Sequence, residues 1–210
     1  MQTDLQQFKQ YWSLLAIAHQ WSDGLSLKVY QRLEAAYTEP HRYYHSVQHI
    51  VECLTLFHQI KAQLNDPLAV EIAIWFHDVI YQPQACHNEK QSAQLMSDYC
   101  ADILTSSQLK KVFRWIEATE QHLPTFETDL QYLLDIDLAI LASSVERFEQ
   151  YQHQIWQEYQ WVEPDIYRKK RQQVLAYFYQ QQPLYLTCFL HEKLEQQAKL
   201  NLVNALTKQA

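Results

Sequence analysis

Apolar residues recur at helical spacing along almost the whole chain. Phe8, Trp12 and Leu15 form a first stripe, and Leu27 and Leu33 belong to a second. A period of three to four residues is typical of amphipathic helices, whereas a half-buried strand alternates every two. The pattern therefore predicts a succession of α-helices.

Prolines and capping residues predict where these helices begin and end. Pro40 ends the second helix, because the residue before a proline is pushed out of the α region. We expect the third helix to begin near His45, and the fourth to run from the Asn65-Asp66-Pro67 cap to about Tyr81. Later helices are predicted over residues 88–102, 107–121, 128–141, 144–161 and 164–181, with a last one ending near Lys208.

These elements predict an all-α fold of about eight to ten helices. No segment rich in Gly, Ser or Pro divides the 210 residues. We therefore expect one domain over residues 1–210.

The chain contains a single glycine, Gly24. Gly-rich phosphate loops need glycine for tight turns and for close approach of the backbone to phosphate, so neither a dinucleotide fingerprint nor a P-loop is expected. Sandwiches and barrels are disfavoured for the same reason, since their turns use positive φ angles.

Charge and cysteine spacing give expectations about partners and location. The net charge is −7, and basic residues are scattered apart from Arg168–Arg171, so no nucleic-acid partner is expected. The four cysteines form no C-x-x-C pair, the first residues are polar, and apolar runs are too short to span a bilayer. We expect a cytoplasmic protein with no membrane partner. Six Trp and fourteen Tyr suit either a homodimer interface or a helical core.

Three segments carry metal-competent side chains where an amphipathic helix would not require them: 41–49, 75–81 and 133–141. His45 and His49 are four residues apart, a spacing that places both on one face of a helix. His77 and Asp78 interrupt an apolar run, where a buried ionised Asp is costly unless a cation or hydrogen bonds compensate it.

Asp135 and Asp137 lie among leucines and isoleucines, so the same argument applies to them. Two interpretations stay open. These polar groups satisfy one another by hydrogen bonding, as buried polar groups normally do, or they form a mixed nitrogen and oxygen site for a divalent metal.

Five ordered motifs resemble the HD superfamily of metal-dependent phosphohydrolases, and within it a branch of predicted phosphohydrolases of similar length. That branch has Pro-x-Arg-x-Tyr-His, Trp-Phe-His-Asp, Asn-Glu-x-x-Ser-Ala, Thr-x-x-His and Leu-Asp-x-Asp-Leu-x-Ile-Leu in this order. The corresponding segments here are Pro40–His45, Trp75–Asp78, Asn88–Ala93, Thr119–His122 and Leu134–Leu141.

The resemblance implies a metal-dependent phosphohydrolase that acts on a small phosphorylated molecule, such as a nucleotide. It implies a divalent ion (Mn, Fe, Ni, Zn or Mg), and the ligands that it implies are His49, His77, Asp78 and Asp137.

The resemblance also implies roles around the metal. The segment Tyr44–His49 is similar to the Tyr-His-Asn-x-x-His of cyclic-nucleotide phosphodiesterases, which implies His49 as the ligand and His45 as the general acid. The spacing alone leaves the reverse open. Arg42 is the predicted cation for phosphate, and His122 is a candidate for phosphate or a second metal.

Some neighbouring acids have structural interpretations. Asp135 is expected to orient a ligand histidine, and Glu89 is interpreted as a first-turn carboxylate at a helix start.

Three positions depart from the related patterns. Gln82 stands where phosphodiesterases have a further His, so their two-metal site is not reproduced as such. Ala142 and Trp156 replace a Gly and an Arg of the closer branch, and the second change speaks against phosphate binding by that helix.

Two hypotheses of other classes accompany the enzyme. One is a catalytically weak HD fold that binds a nucleotide or a protein as a sensor or scaffold. The other is a helical interaction protein in which the polar residues only satisfy each other.

Overall fold

The computed structural model describes residues 2–208 and contains ten α-helices and no strand within them, which confirms the all-α prediction. The helices are α1 (Gln2–Ala18), α2 (Asp23–Tyr37), α3 (Val47–Ile60), α4 (Pro67–Phe76), α5 (Asn88–Cys100), α6 (Ser106–Ala118), α7 (Thr128–Asp137), α8 (Val145–Glu158), α9 (Pro164–Gln180) and α10 (Cys188–Lys208).

Contacts within the chain divide it between Leu123 and Pro124 into two compact units. The first unit holds α1–α6 and the second holds α7–α10. The single domain expected over residues 1–210 stays a prediction.

Helix α4 forms the core of the first unit. Every residue of Ala69–Phe76 is buried, and α3, α5 and α6 pack against the helix. The indole of Trp75 meets Phe8 edge to face at 4.7 Å and Trp12 at 5.3 Å between ring centroids. Aromatic pairs in this arrangement add to the free energy gained by burying their area. The chain therefore leaves α4 from the centre of the core.

The start of α4 is as predicted, but its end is not. The Asp66 side chain accepts a hydrogen bond from the Ala69 amide and Pro67 occupies the first turn. The helix ends at Phe76, five residues before the predicted end at Tyr81. In the last turn before this end, the Ile74 and Trp75 carbonyl oxygens accept hydrogen bonds from side chains.

The third helix begins two residues after its expected start near His45. Ser46 has extended backbone angles, φ −120° and ψ −176°, so α3 begins at Val47 and His45 lies in the preceding turn. A residue in this conformation stands before a helix and not inside it.

The second unit is built around α10, which packs against α9 and the 3-10 turn Leu138–Ala142. Asn201 on α10 donates to the carbonyl oxygens of Leu141 and Ser143, each at 2.9 Å. This buried amide satisfies the last carbonyl groups of the turn that follows α7. The helix predicted over residues 128–141 therefore exists as α7 plus this turn.

Among residues 2–208, every helix is too short or too polar to cross a lipid bilayer.

Candidate metal centre

Three side chains of the first unit direct one atom each at a common point. His77 Nε2 lies 3.2 Å from His49 Nε2 and 3.0 Å from Asp78 Oδ2. The third side of the triangle, from His49 Nε2 to Asp78 Oδ2, measures 3.6 Å. Both histidines are buried, and the Asp78 side chain is 15% exposed. The sequence motifs that contain His49, His77 and Asp78 therefore meet in space.

These separations fit a first-row metal ion. Metals bind imidazole nitrogen and carboxylate oxygen at about 2.0–2.2 Å, so adjacent donors lie about 3.0 Å apart in an octahedral site and about 3.4 Å in a tetrahedral one. The three observed separations span 3.0–3.6 Å. Two imidazoles with one carboxylate are also a donor set that suits such ions. The geometry and the chemistry of the donors agree.

The local fold orients His77. Its Nδ1 lies 2.9 Å from the Ile74 carbonyl oxygen, which can only accept, so Nδ1 carries the proton that is donated. In the neutral ring Nε2 is then the nitrogen that carries the lone pair in the ring plane. Metal-binding histidines commonly have their other nitrogen fixed in this way.

His45 is not one of the three converging donors. Its ring stacks on Tyr81 with centroids 4.1 Å apart, and its centroid lies 6.2 Å from that of His49. Because His45 precedes α3, the prediction that it shares a helical face with His49 is wrong. Of the two histidines, His49 has the geometry of a ligand, while His45 borders the donor set.

Arg42 is buried and its guanidinium is engaged with the protein. Nη1 donates to the carbonyl oxygens of His45 and Asp78, Nη2 to that of Val79, and Nε to the Glu39 carboxylate. None of the side chain is exposed. A direct contact with phosphate, as predicted, would require these bonds to break.

Glu89 lies near the same site, in the first turn of α5 as interpreted. Burial raises the pKa of its carboxyl group, the negative charges of Asp78 and Glu120 raise it further, and His45 opposes them. The turn after α6 therefore brings Glu120 into the electrostatic range of this group.

His122 lies in that same turn with φ of 51°, a left-handed conformation uncommon for a residue with a side chain. Its role in binding phosphate or a second metal stays a prediction.

Asp135 and Asp137 belong to the second unit and face different directions, since residues two apart on a helix are separated by about 200°. The Asp135 carboxylate accepts from the amides of Leu186 and Thr187, at 2.7 and 2.8 Å, and from the Thr187 hydroxyl at 2.7 Å. It thus caps the start of α10, and these contacts replace the predicted role of orienting a histidine.

Asp137 is the last residue of α7 and is partly exposed. Its role as a ligand stays a prediction.

Two neighbours of the site were not among the predicted residues. Cys53 Sγ lies 3.7 Å from His49 Nδ1, and their spacing of four residues on α3 was a signal available in the sequence. Tyr81 provides the ring on which His45 stacks, and nothing in its local sequence indicates that contact.

In comparisons with known proteins, no family model, curated protein or solved structure matched this chain.

Proposed function

We propose that this protein is a metal-dependent phosphohydrolase of the HD type, acting on a small phosphorylated molecule such as a nucleotide. The observation that carries the proposal is the convergence of His49 Nε2, His77 Nε2 and Asp78 Oδ2 at 3.0–3.6 Å. These are three of the four positions at which the HD motif has its ligands. They come from separate segments of sequence, α3 and the turn after α4.

In the proposed enzyme His49, His77 and Asp78 hold a divalent metal. Such an ion lowers the pKa of a bound water and polarises a phosphoryl oxygen. Asp137, at the fourth position of the motif, is proposed as an additional metal ligand.

The chain's own groups would bind the substrate and move the proton. His45 is proposed to donate a proton to the leaving oxygen, since its ring lies beside the donor set and Tyr81 holds it by stacking. His122 is proposed to contact phosphate. Arg42 would contribute positive charge at a distance, since its N–H groups are used within the protein.

Metal binding is the first test. Protein stripped with a chelator is titrated with Mn, Fe, Ni, Zn and Mg ions, and bound metal is determined by elemental analysis and calorimetry. His77→Gln, His49→Gln and Asp78→Asn are each expected to weaken binding by at least about tenfold. The matched controls are His87→Gln and Asp98→Asn, which change exposed residues of the same unit. Absence of metal uptake by the wild-type protein would exclude the proposed centre.

Hydrolysis is the second test. The metal-loaded protein is incubated with phosphomonoesters, nucleotides and cyclic nucleotides, and released phosphate or nucleotide product is measured. Activity is expected to disappear in His77→Gln and Asp78→Asn and to persist in His87→Gln. Activity that survives both site variants belongs to another site or to a contaminant, and the proposed mechanism then fails.

The structure also offers an observation in favour of the sensor or scaffold hypothesis. The predicted phosphate cation, Arg42, is enclosed, and transfer of a phosphoryl group needs positive charge around the equatorial oxygens. A protein that binds metal and nucleotide tightly, without product formation in the same screen, would fit this second function.

A further inference from the structure

The end of α4 poses a hydrogen-bonding problem that bears on the candidate metal centre. The last four carbonyl groups of a helix have no partner within it. Here the helix ends inside the core, so water cannot satisfy every one of them. Side chains satisfy some of these groups instead. Tyr37 donates to the Trp75 carbonyl oxygen and His77 to that of Ile74, each at 2.9 Å.

Arg42 satisfies the carbonyl groups that follow. Its Nη1 lies 2.6 Å from the Asp78 carbonyl oxygen and its Nη2 lies 3.0 Å from that of Val79. The same Nη1 also donates to the His45 carbonyl oxygen at 3.1 Å. One planar group therefore joins the turn that carries His77 and Asp78 to the turn that carries His45.

The surroundings of the guanidinium leave it little freedom. Its central carbon lies 5.2 Å from the centre of the Tyr37 ring and 5.5 Å from that of Tyr81, within the range of cation–π attraction. Glu39 balances the charge through Nε at 2.9 Å. A buried cation with this many partners is costly to displace, because breaking its contacts leaves an uncompensated charge in the core.

We propose that Arg42 is a positioning residue for the candidate metal centre. By holding the backbone at Asp78 and at His45, it keeps the Asp78 carboxylate beside His77 and His49 and keeps the His45 ring at the edge of the donor set. The expected effect of Arg42 on metal affinity rests on the proposed function. The expected effect of Arg42 on the local backbone does not.

Arginine is needed at this position because of its shape. The guanidinium presents five N–H groups in a fixed plane, so it reaches three carbonyl oxygens and a carboxylate at once. The ammonium group of lysine carries charge at a single point and cannot reproduce that set. Arg42→Lys therefore removes the bridge while it keeps the positive charge.

The test compares Arg42→Lys with Arg114→Lys, which changes an exposed arginine of α6 in the same unit. In metal-free protein, amide hydrogen exchange of residues 77–81 is measured together with the imidazole nitrogen NMR signals of His77. Arg42→Lys is expected to accelerate exchange in that segment by more than about tenfold and to shift the His77 signals, as local opening predicts. Arg114→Lys is expected to leave both unchanged.

Metal titration of the same variants gives the second readout. Arg42→Lys is expected to weaken metal binding by about 10- to 100-fold, the usual effect of losing a residue that orients ligands. Unchanged exchange, NMR signals and metal affinity, together with a lower midpoint of urea unfolding, would overturn the proposal and leave Arg42 a general packing role.

Two further outcomes remain decisive. If the wild-type protein takes up no metal, the proposed function fails. Amide hydrogen exchange of residues 77–81 and the His77 NMR signals then decide whether Arg42 positions the local backbone. If Arg42→Lys does not fold, Glu39→Ala replaces it, because this change removes the acceptor at Nε and keeps the guanidinium. This second variant is expected to shift the same signals by smaller amounts. Unchanged signals would overturn the proposal.

Discussion

His77 donates a hydrogen bond from Nδ1 to the carbonyl oxygen of Ile74, 2.9 Å away at the end of the same helix. The end of α4 thereby fixes the tautomer of the ring and directs its Nε2 lone pair at His49 and Asp78. A requirement of helix termination and a requirement of metal binding are met by one side chain.

Metal binding is expected to weaken as the pH falls. Imidazole binds a metal only in its neutral form, so protons compete for His49 and His77. With two histidines in the donor set, the apparent affinity should fall as the pH is lowered, because protons are displaced when the metal binds. Calorimetry in buffers of different ionisation enthalpy counts the protons released. An affinity that does not change as the pH falls would contradict the proposed ligands.

Asp135 and Asp137 should separate stability from metal binding, although they are two residues apart on α7. Asp135→Ala leaves the partly buried donor of Leu186 and the buried donors of Thr187 without an acceptor, and it is expected to lower the free energy of unfolding by about 3 kcal/mol. Asp137→Ala is expected to cost less than about 1 kcal/mol, since the residue is partly exposed, and to weaken metal binding. Urea unfolding and metal titration check both. If Asp135→Ala weakened metal binding and Asp137→Ala did not, Asp135 and not Asp137 would be the ligand.

Glu71 is expected to make stability depend on pH. Burial raises the pKa of its carboxyl group, and the Lys61 ion pair at 3.2 Å offsets this only in part. The folded protein therefore holds the proton more tightly than the unfolded chain does. This group's contribution to stability is present at low pH and is lost as the pH rises through the folded pKa.

Glu71→Gln should remove that loss. The free energy of unfolding of the variant, relative to the wild type, is expected to increase between about pH 4 and pH 7. Urea unfolding at several pH values measures the difference, with the exposed Asp98→Asn as the control. A difference that does not change with pH would show that Glu71 titrates alike in both states.

Tyr37→Phe should destabilise the first unit without removing any apolar area. The phenol hydroxyl donates to the Trp75 carbonyl oxygen, and Tyr37 is almost fully buried. The variant leaves this oxygen without its side-chain donor, at an expected cost of about 1–2 kcal/mol in unfolding free energy. Tyr11→Phe is the control, because the Tyr11 hydroxyl contacts Thr55 at the surface. Equal effects of the two changes would contradict the argument.

Helix type and many helix starts could be predicted from the sequence because their causes are local. The Asp66–Pro67 start of α4 needs only the residues beside it, and the structure has this cap. The end of α4 could not be predicted in the same way. It depends on Tyr37 and on Arg42, which lie 38 and 36 residues away from their partners Trp75 and Asp78.

The candidate site was predictable in part for a related reason. His77 and Asp78 stand out because charged or polar groups inside an apolar run imply compensation. Their convergence with His49, the stacking of His45 on Tyr81, and the enclosure of Arg42 involve contacts across 28 to 37 residues of chain. No spacing rule contains that information.

The order of residues was enough to predict that this protein is helical, where most of its helices begin, and which polar residues need an explanation. These properties follow from spacing, capping and the cost of burying charge, all of which act over a few residues. Which of those residues meet depends on the folded core. That depends on how buried carbonyl groups and donors from distant segments find partners once the core has closed.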